Sequence, residues 1–230
     1  MLQQIKDRVG GTVRLRASSN SVRWRVFQKK QLEYIIRCVN GHIRLKVRQQ
    51  QFKKMCLMFN IEYLEPKPLD FKNAYIAGFF DADGSITISV SKCSAEHSQI
   101  KNSYGKYIRL KHSRGWHNLS VHITNKDKSI LNNIYQALGS GKLITEPAKK
   151  EKSAKRPNPL HRFYIKNVED VNTWLKYTTY HPLQSSKRKR CLLLSKYFEL
   201  YYNKAHLTKT DCLMHKQWDN FCKRWFLINT

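Results

Sequence analysis

Acidic residues are scarce in this sequence. Only 16 of its 230 residues are Asp or Glu, against 43 Lys or Arg, which leaves a formal net charge of +27. Such a surplus repels itself in the folded state, so the composition predicts a polyanionic partner, with nucleic acid the first candidate. Charge alone leaves open a ribosome-associated or a membrane-surface protein. With 41% hydrophobic residues, the chain has a folding rather than a disordered composition.

Long apolar runs are also missing. No stretch approaches the roughly 18 residues that a membrane-spanning helix needs, and the longest candidate, CLLLS after Arg190, is soon followed by Lys196. The pattern predicts a soluble protein with no membrane partner. MLQQIKDRVGG at the N-terminus has neither the apolar core of a secretory signal nor the Ser-rich, acid-free character of a transit peptide. A protein of this kind that works in an organelle is expected to be made there.

Paired cysteine motifs are absent as well. The sequence has no CxxC pair and no nearby pair of histidines at zinc-finger spacing. The six cysteines are therefore predicted to be reduced, mostly buried thiols rather than metal ligands. They are Cys38, Cys56, Cys93, Cys191, Cys212 and Cys222.

An internal repeat organises what is present. LQQIKDRVGGTVRL, from Leu2, matches LNNIYQALGSGKLI, from Leu131, and both patterns predict a helix, a glycine break and a strand. A second strand, a helix, a basic turn and another helix follow each copy in the same order. Only the second copy has a further helix and two strands upstream, so the first repeat is interpreted as lacking its opening helix.

The repeat predicts a division of the chain. Residues 1–60 form the partial first repeat, 61–72 a proline-containing linker, 73–203 the complete repeat, and 204–230 a C-terminal capping helix. The linker contains Pro66 and Pro68, which disfavour a helix. A charged, proline-containing insert from Glu146 is predicted to be a loop between two strands.

The stretch YIAGFFDADGSITISV, Tyr75 to Val90, carries the conspicuous chemistry. Ala77 and Gly78 are small enough to let another helix approach closely. Gly84 is expected to take the left-handed position that ends the helix, which puts Asp81 and Asp83 in its last turn. Acids at the negative end of the helix dipole are destabilised by roughly 0.3–1 kcal/mol each, so their presence suggests a bound cation and a hard metal site.

Alternating strands supply a candidate nucleic-acid surface. Apolar Ile86 and Ile88 alternate with polar side chains in the strand after the motif, and the same period recurs in three other strands. A sheet face of Arg, Ser, Thr, Asn and His suits a DNA groove, whereas a merely solvated face is the alternative. The residues predicted to contact DNA are Arg14, Arg16, Arg23, Arg25, Ser85, Thr87, Ser89, Asn118, Ser120, His122 and Arg162.

YIAGFFDADGSITISV resembles the signature helix and first strand of the LAGLIDADG homing endonucleases. The resemblance implies an α+β fold of αββαββα repeats, with a saddle-shaped antiparallel sheet in one complete repeat and an N-terminal partial repeat. In that family two motif helices pack together, here through Ala77 and Gly78. The last motif acid binds a divalent metal, here Asp83 with Mg²⁺ as the expected ion. Asp81 is implied to be structural.

The resemblance also implies polar residues around the metal. Asn125 falls after the second strand, and Lys187 falls in the turn before the later long helix, with Lys46 as its equivalent in the first repeat. The lysine would organise water or stabilise charge on the phosphate. For Lys187 and Lys46 the alternative is a plain contact with the DNA backbone.

Three functions follow from the resemblance. The first is an intron-encoded, site-specific endonuclease that hydrolyses phosphodiester bonds of double-stranded DNA. Three explanations of the missing motif helix stay open, and they decide whether this single chain is active: the helix is encoded upstream, a second chain supplies it, or the protein is a degenerating copy. The second is an RNA-binding maturase that assists splicing of the host intron. The third is a DNA-binding remnant without cleavage. A mitochondrial or chloroplast location is expected from where the family occurs.

Overall fold

The chain folds into two compact units, Met1–Leu69 and Asp70–Thr230, and each is described here by itself. The computed structural model describes residues 2–17, 21–91, 99, 102–148 and 159–226. The boundary between the units lies inside the predicted linker 61–72. No helix in the described part of the chain is long and apolar enough to cross a membrane.

The first unit consists of a helix, an antiparallel hairpin and two further helices. Its elements are α1 (Leu2–Val9), β1 (Thr12–Leu15), β2 (Val22–Arg25), α2 (Lys29–Val39) and α3 (Lys46–Met58). Gly10 and Gly11 both have φ of +88°, a backbone region that side chains with a Cβ rarely adopt, and they turn α1 into β1. Ile36, Phe52 and Cys56 form the buried core of the unit.

The residues after α3 continue this unit. Ile61 and Tyr63 pack against its core. Asn40 holds the same segment in place, because its Nδ2 donates to the carbonyl of Glu62 at 2.7 Å and its Oδ1 accepts from the amide of Leu64 at 2.9 Å. The early part of the predicted linker is thus packed structure.

The second unit is built on a four-stranded antiparallel sheet. Its elements are α4 (Tyr75–Asp83), β3 (Gly84–Val90), α5 (Ser103–His112), β4 (His117–Asn125), α6 (Lys128–Leu138), β5 (Lys142–Glu146), β6 (Leu160–Ile165), α7 (Val168–Tyr180), α8 (Lys187–Cys191), α9 (Leu194–Tyr202), a 3₁₀ turn (Ala205–Leu207) and α10 (Leu213–Phe226). The strand order is β3-β4-β6-β5, so β3 is an edge strand. Apolar side chains from one face of the sheet, including Ile86, Val121 and Phe163, are buried.

Local signals in the sequence explain the helix limits. The Asp127 carboxylate accepts from the amide of Ser129 at the start of α6, and Asn167 caps α7 in the same way through Asp170. Gly139, with φ of +64°, ends α6 in the left-handed conformation.

The predicted α+β fold with one complete repeat is confirmed, with one addition. The order helix, two strands, helix, two strands and helices holds, and the first unit matches its later half. Helix α5 between β3 and β4 was not predicted. Its signal was present, because Asn102 accepts from the amide of Gly105 as an N-cap and Tyr107 and Leu110 are buried at a spacing of i and i+3.

The C-terminal helix α10 packs inside the second unit rather than standing apart. Trp218, Phe221 and Trp225 are buried as the spacing predicted, whereas Leu213 is exposed. Among the described cysteines Cys56, Cys191 and Cys222 are buried, Cys38 and Cys212 are exposed, and all five are unpaired. Cys93 and most of the insert after Glu146 lie outside the described residues.

Two buried histidines pack beside α10. The ring of His117 lies 4.7 Å from the ring of His206 and 5.5 Å from that of Trp218. Burial, together with the neighbouring His206, lowers the pKa of His117 to about 4. The folded protein therefore favours neutral His117, so protonation between pH 6.5 and 4 favours the unfolded chain.

His117→Phe is expected to reduce the acid sensitivity of the fold. The free energy of unfolding of the wild type should fall by about 2 kcal/mol between pH 7 and pH 5 because of His117 alone. In this range the histidine is protonated in the unfolded chain but stays neutral in the folded one. Urea unfolding of both proteins at the two pH values measures the difference. An equal loss in variant and wild type would mean that another group causes the acid sensitivity.

Candidate functional site

Helix α4 is seated in the second unit by two aromatic residues of α7. The Phe80 and Trp174 rings lie 4.6 Å apart, and Trp174 is fully buried. The Tyr177 hydroxyl donates to the carbonyl of Asn73 at 2.7 Å and accepts from the amide of Ala77 at 3.1 Å. These contacts fix both the start and the middle of the helix.

The two small residues predicted to form a helix interface face opposite ways. Ala77 is buried within the second unit and lies against Tyr177. Gly78 is exposed, and a Cβ built there would have no described atom within 4 Å. Gly78 and Ala82 therefore form an open, small-residue stripe on α4, whereas Ala77 belongs to the core.

The end of α4 differs from the prediction at one residue. Gly84 has φ of −76° and ψ of 161°, so it is the extended first residue of β3 and not a left-handed cap. Glycine is needed there for a different reason, since a Cβ would overlap the ring of Phe80. The chain thus passes directly from helix to strand, and Asp83 is the last helical residue.

Asp81 holds the turn that precedes α8. Its carboxylate accepts from the amide of Gln184 at 2.7 Å, the amide of Ser185 at 3.2 Å and the hydroxyl of Ser185 at 2.5 Å. A carboxylate with this many donors is committed to the fold. The contacts fit the structural role that the resemblance implies for this acid.

Lys187, the first residue of α8, binds the end of α4 through its side chain. Its ammonium donates to the carbonyls of Phe80 at 3.1 Å and Asp81 at 2.7 Å and lies 3.5 Å from that of Ala82. Burial lowers the pKa of Lys187, while the Asp81 and Asp83 carboxylates oppose that shift. Because these carbonyls form the negative end of the helix dipole, Lys187 is the cation that offsets the clustered acids. Acids at the end of α4 therefore do not by themselves require a bound metal.

Lys187→Met is expected to destabilise the fold by about 1–2 kcal/mol, because the helix end loses its charged donor while the apolar stem is kept. Thermal or urea unfolding measures the change. Lys189→Met is the matched control, since Lys189 lies on the same helix and is exposed. Equal stability of the two variants would contradict a stabilising contact at Lys187.

Asp83 is the acid that remains available. Its side chain is exposed, and no hydrogen bond joins it to another residue of the described chain. It directly precedes Gly84, which pairs with Ile123 in the β3–β4 register, so it lies near the end of β4. Asp83 therefore presents a carboxylate to solvent at the point where the helix enters the sheet.

Asn125 lies at that same end of β4, but its side-chain oxygen is occupied. Its Oδ1 accepts from the amide of Asp127 at 2.9 Å and shapes the turn into α6. No cluster of three or more His, Cys, Asp or Glu able to hold a metal is found among the described residues. Within the second unit Asp83 is the predicted metal ligand left free to bind. Lys46 is the exposed first residue of α3 in the first unit.

The strand register of the second unit gathers the predicted polar residues on one face. Ser85 pairs with His122, Thr87 with Ser120, and Ser89 with Asn118 across β3 and β4, and Arg162 pairs with Thr124 across β4 and β6. Side chains of paired residues share a face, as do alternate residues of a strand. The register also adds Tyr164 and Lys142, which the sequence analysis missed, and it keeps Thr124 on the face that the alternation along its strand predicts.

Two residues of this face, Arg162 and Ser120, already contact other side chains of the second unit. The guanidinium of Arg162 lies 3.0 Å from the Glu146 carboxylate and donates to the Tyr164 hydroxyl at 3.0 Å. Ser120 is buried, and its hydroxyl lies 3.1 Å from Nδ1 of His122. The contacts with Tyr164 and His122 join residues two apart on one strand, whereas the Arg162–Glu146 pair joins β6 to β5, a pairing that periodicity alone does not indicate.

The hairpin of the first unit carries a more basic face. Arg14 pairs with Arg23, and Thr12 with Arg25, so these side chains share one side of the hairpin. A groove of about 490 Å³ is lined by Arg14, Leu15, Arg16, Ala17, Arg23 and Arg25. The described part of the chain provides none of the four arginines with a carboxylate partner. The groove is thus suited to an anionic ligand.

The second unit is an α+β fold in which a short helix ends in an exposed acid and continues directly into an antiparallel sheet. The polar face of that sheet is an extended surface beside the carboxylate. A family model described as LAGLIDADG endonuclease matches residues 76–198. The chain belongs to this family, which confirms the resemblance inferred from the motif.

Individual relatives give the same result. The chain is 31% identical to an intron-encoded RNA maturase, bI4, of Saccharomyces cerevisiae, over 98% of its own length and 31% of the relative. It is 28% identical to an intron-encoded DNA endonuclease, ai2a, of Dictyostelium discoideum, over 97% of its own length and 63% of the relative. The chain thus spans about a third of the first relative and less than two thirds of the second.

A solved structure shares the fold. The LAGLIDADG homing endonuclease I-GzeII, in complex with its DNA target, aligns with all of this chain and 84% of its own at a TM-score of 0.57 and 16% identity. The alignment covers both units and shows a shared fold.

Proposed function

We propose that this chain is part of an intron-encoded, site-specific endonuclease that hydrolyses phosphodiester bonds of double-stranded DNA. The observation that carries the proposal is the exposed carboxylate of Asp83 at the end of α4, which makes no hydrogen bond within the described chain and has the Lys187 ammonium as a charged neighbour. The charge of +27, the arginine groove and the polar sheet face supply the surface for DNA.

The site suits Mg²⁺ with Asp83 as the protein ligand. Magnesium in phosphate-processing enzymes is held by one or two carboxylates together with substrate phosphates, so a single exposed acid fits half of such a site. A bound divalent cation supplies an activated water and offsets charge on the phosphate oxygens. The chain's own part is to hold Asp83 at the end of α4, which the contacts of Asp81 and Lys187 achieve.

A second acid must come from a second motif helix. The sequence contains one such motif, ending at Asp83. The exposed stripe of Gly78 and Ala82 offers the surface on which that helix would pack. The second helix is supplied either by another chain or by a longer form of this protein, as the greater length of its relatives allows.

We assign recognition of the DNA sequence to residues of the strands. The residues available for this role are Arg14, Arg16, Arg23 and Arg25 in the first unit and Ser85, Thr87, Ser89, Asn118 and His122 in the second. Arginine is the commonest reader of guanine in the major groove, and the shorter side chains contact several bases. Arg162 joins them only if its pair with Glu146 opens.

Incubation with a plasmid carrying the host gene without its intron tests the proposal. Double-strand cleavage with Mg²⁺ and none with chelator is the expected result once the second motif is present. Cleavage that chelator does not stop would contradict the metal site. The relatives are intron-encoded, so an organellar genome, mitochondrial or plastid, is the proposed origin of the host gene.

RNA binding in support of splicing is a second candidate function. It is favoured by the similarity to a protein named as an RNA maturase. Positive charge and stacking serve RNA without a metal, so this function does not need Asp83. A splicing assay of the host intron with wild-type protein and Asp83→Asn distinguishes the two, since only cleavage should depend on the carboxylate.

A further inference from the structure

A basic cleft lies along the free edge of β3, outside the site formed by the end of α4. It encloses about 470 Å³ between β3, α5 and the helices α8 and α10. Three cationic side chains line it, and none of its lining residues carries a carboxylate. The cations are Lys106 and Arg109 on α5 and Arg190 on α8, with the hydroxyls of Thr87 and Ser89 beside them.

The backbone of β3 adds hydrogen-bond donors to this cleft. The amide of Ser91 donates to the carbonyl of Trp116 on the β4 side at 2.9 Å. In an antiparallel ladder successive residues point their backbone groups to opposite sides, so the even-numbered residues of β3 point away from β4. The contact from Arg190 Nη1 to the carbonyl of Ile86, at 3.2 Å, shows this outward direction. The amide of Ile88, which lines the cleft, is therefore directed into it.

Arg190 is held rigidly at the inner wall. Its Nε donates to the carbonyl of Trp225 at 3.3 Å, and its guanidinium lies 5.6 Å from the centre of the Trp225 ring. Burial of the side chain lowers its pKa, because the charge has lost part of its hydration. Its hydrogen bonds in the described chain go to carbonyls and not to a carboxylate, so its charge remains uncompensated. An anion in the cleft would restore that compensation.

Lys106 and Arg109 face the same space from the opposite wall. They are three residues apart on α5 and therefore project from one side of that helix. Neither has an ion-pair partner within the described residues. Helix α5 lies between the first two strands of the complete repeat, so this cation pair stands beside the edge of the sheet.

We propose that this cleft binds a phosphodiester group of the nucleic-acid backbone and so extends the binding surface beyond the edge of the sheet. Thr87 and Ser89 belong to the polar sheet face, so a nucleic acid lying on that face reaches the cleft where it crosses β3. Contacts of this kind fix the position of the nucleic acid and carry no sequence information. The inference rests on the proposed function for its choice of nucleic acid as the ligand.

The double variant Lys106→Gln/Arg109→Gln tests the cleft against a matched control. Lys216→Gln/Arg224→Gln removes the same charge from exposed positions on α10 that do not line the cleft. Binding of the full chain to a random-sequence DNA duplex and to single-stranded RNA of equal length is measured over a range of salt concentrations. The slope of log affinity against log salt is negative, and loss of two phosphate contacts reduces its magnitude by about 1.8 for duplex DNA or about 1.4 for a single strand.

The two nucleic acids identify the source of the phosphate. A reduced slope for the cleft variant on either nucleic acid, with the control pair less affected, supports the site and shows which polymer occupies it. Wild-type binding with slopes equally changed in both variants overturns the cleft and leaves the proposed function standing. If the wild-type chain binds neither nucleic acid, both proposals fail.

Discussion

Asp83→Asn is expected to lower Mg²⁺-dependent DNA cleavage by about 10³-fold or more, without weakening DNA binding. The carboxylate is the proposed metal ligand, and an amide oxygen carries no full charge with which to hold the ion. Charge stabilisation by a bound metal amounts to several kcal/mol, and each 1.36 kcal/mol is about tenfold in rate. Single-turnover cleavage of the intronless host sequence, with the second motif present, measures the loss.

Asp83→Asn should leave the stability of the fold almost unchanged. Asp83 is exposed and bonds to no described side chain, so unfolding free energy is expected to change by less than about 0.5 kcal/mol. Binding measured in chelator provides the control for correct folding. A cleavage rate within a few-fold of wild type would contradict metal binding at Asp83 and favour the RNA-side function.

Asp81→Ala is expected to lower the stability of the fold and to leave most of the cleavage activity intact. The substitution removes the acceptor for the amides of Gln184 and Ser185 and for the Ser185 hydroxyl. Hydrogen bonds to a charged group are worth about 1.5–3 kcal/mol each when well shielded, and this site is half-exposed, so a total loss of about 2–3 kcal/mol is expected. Urea unfolding measures the change.

Cleavage by Asp81→Ala at low temperature completes the comparison. Because Asp81 acts through the turn before α8, the variant should keep most of its activity below its unfolding transition. Asp81→Asn, which keeps one acceptor oxygen, should show a smaller loss of stability. If Asp81→Ala abolished cleavage with unchanged stability, Asp81 would be a metal ligand and the assignment of the two acids would be wrong.

The sequence predicted the architecture well where periodicity was strong. The match between the segments from Leu2 and Leu131 predicted two copies of the same element order, and α1 and α6 open corresponding runs of strand, strand and helix. The alternation along β3 and β4 predicted which side chains share a face, because a strand has a period of two residues. The motif YIAGFFDADG alone was sufficient to identify the family.

Sequence patterns did not show contacts that depend on a distant partner. The motif comparison placed Lys187 beside the metal or the DNA backbone, which stays a prediction, and only the structure shows that its ammonium binds the carbonyls at the end of α4. Gly84 was interpreted as a left-handed cap, whereas the ring of Phe80 accounts for the glycine. The ion pair of Arg162 with Glu146 likewise spans two strands.

The sequence by itself determined the family, the repeat, the basic character and the position of the two motif acids. These are local properties, because periodicity, turn residues and charge depend on neighbours along the chain. Only the tertiary structure decided that Asp81 and Lys187 stabilise the junction of α4 with α8 while Asp83 remains open, and that Arg190 completes a cleft at the edge of β3. Such roles depend on which groups meet after packing, where a hydrogen bond already made is no longer available to a ligand.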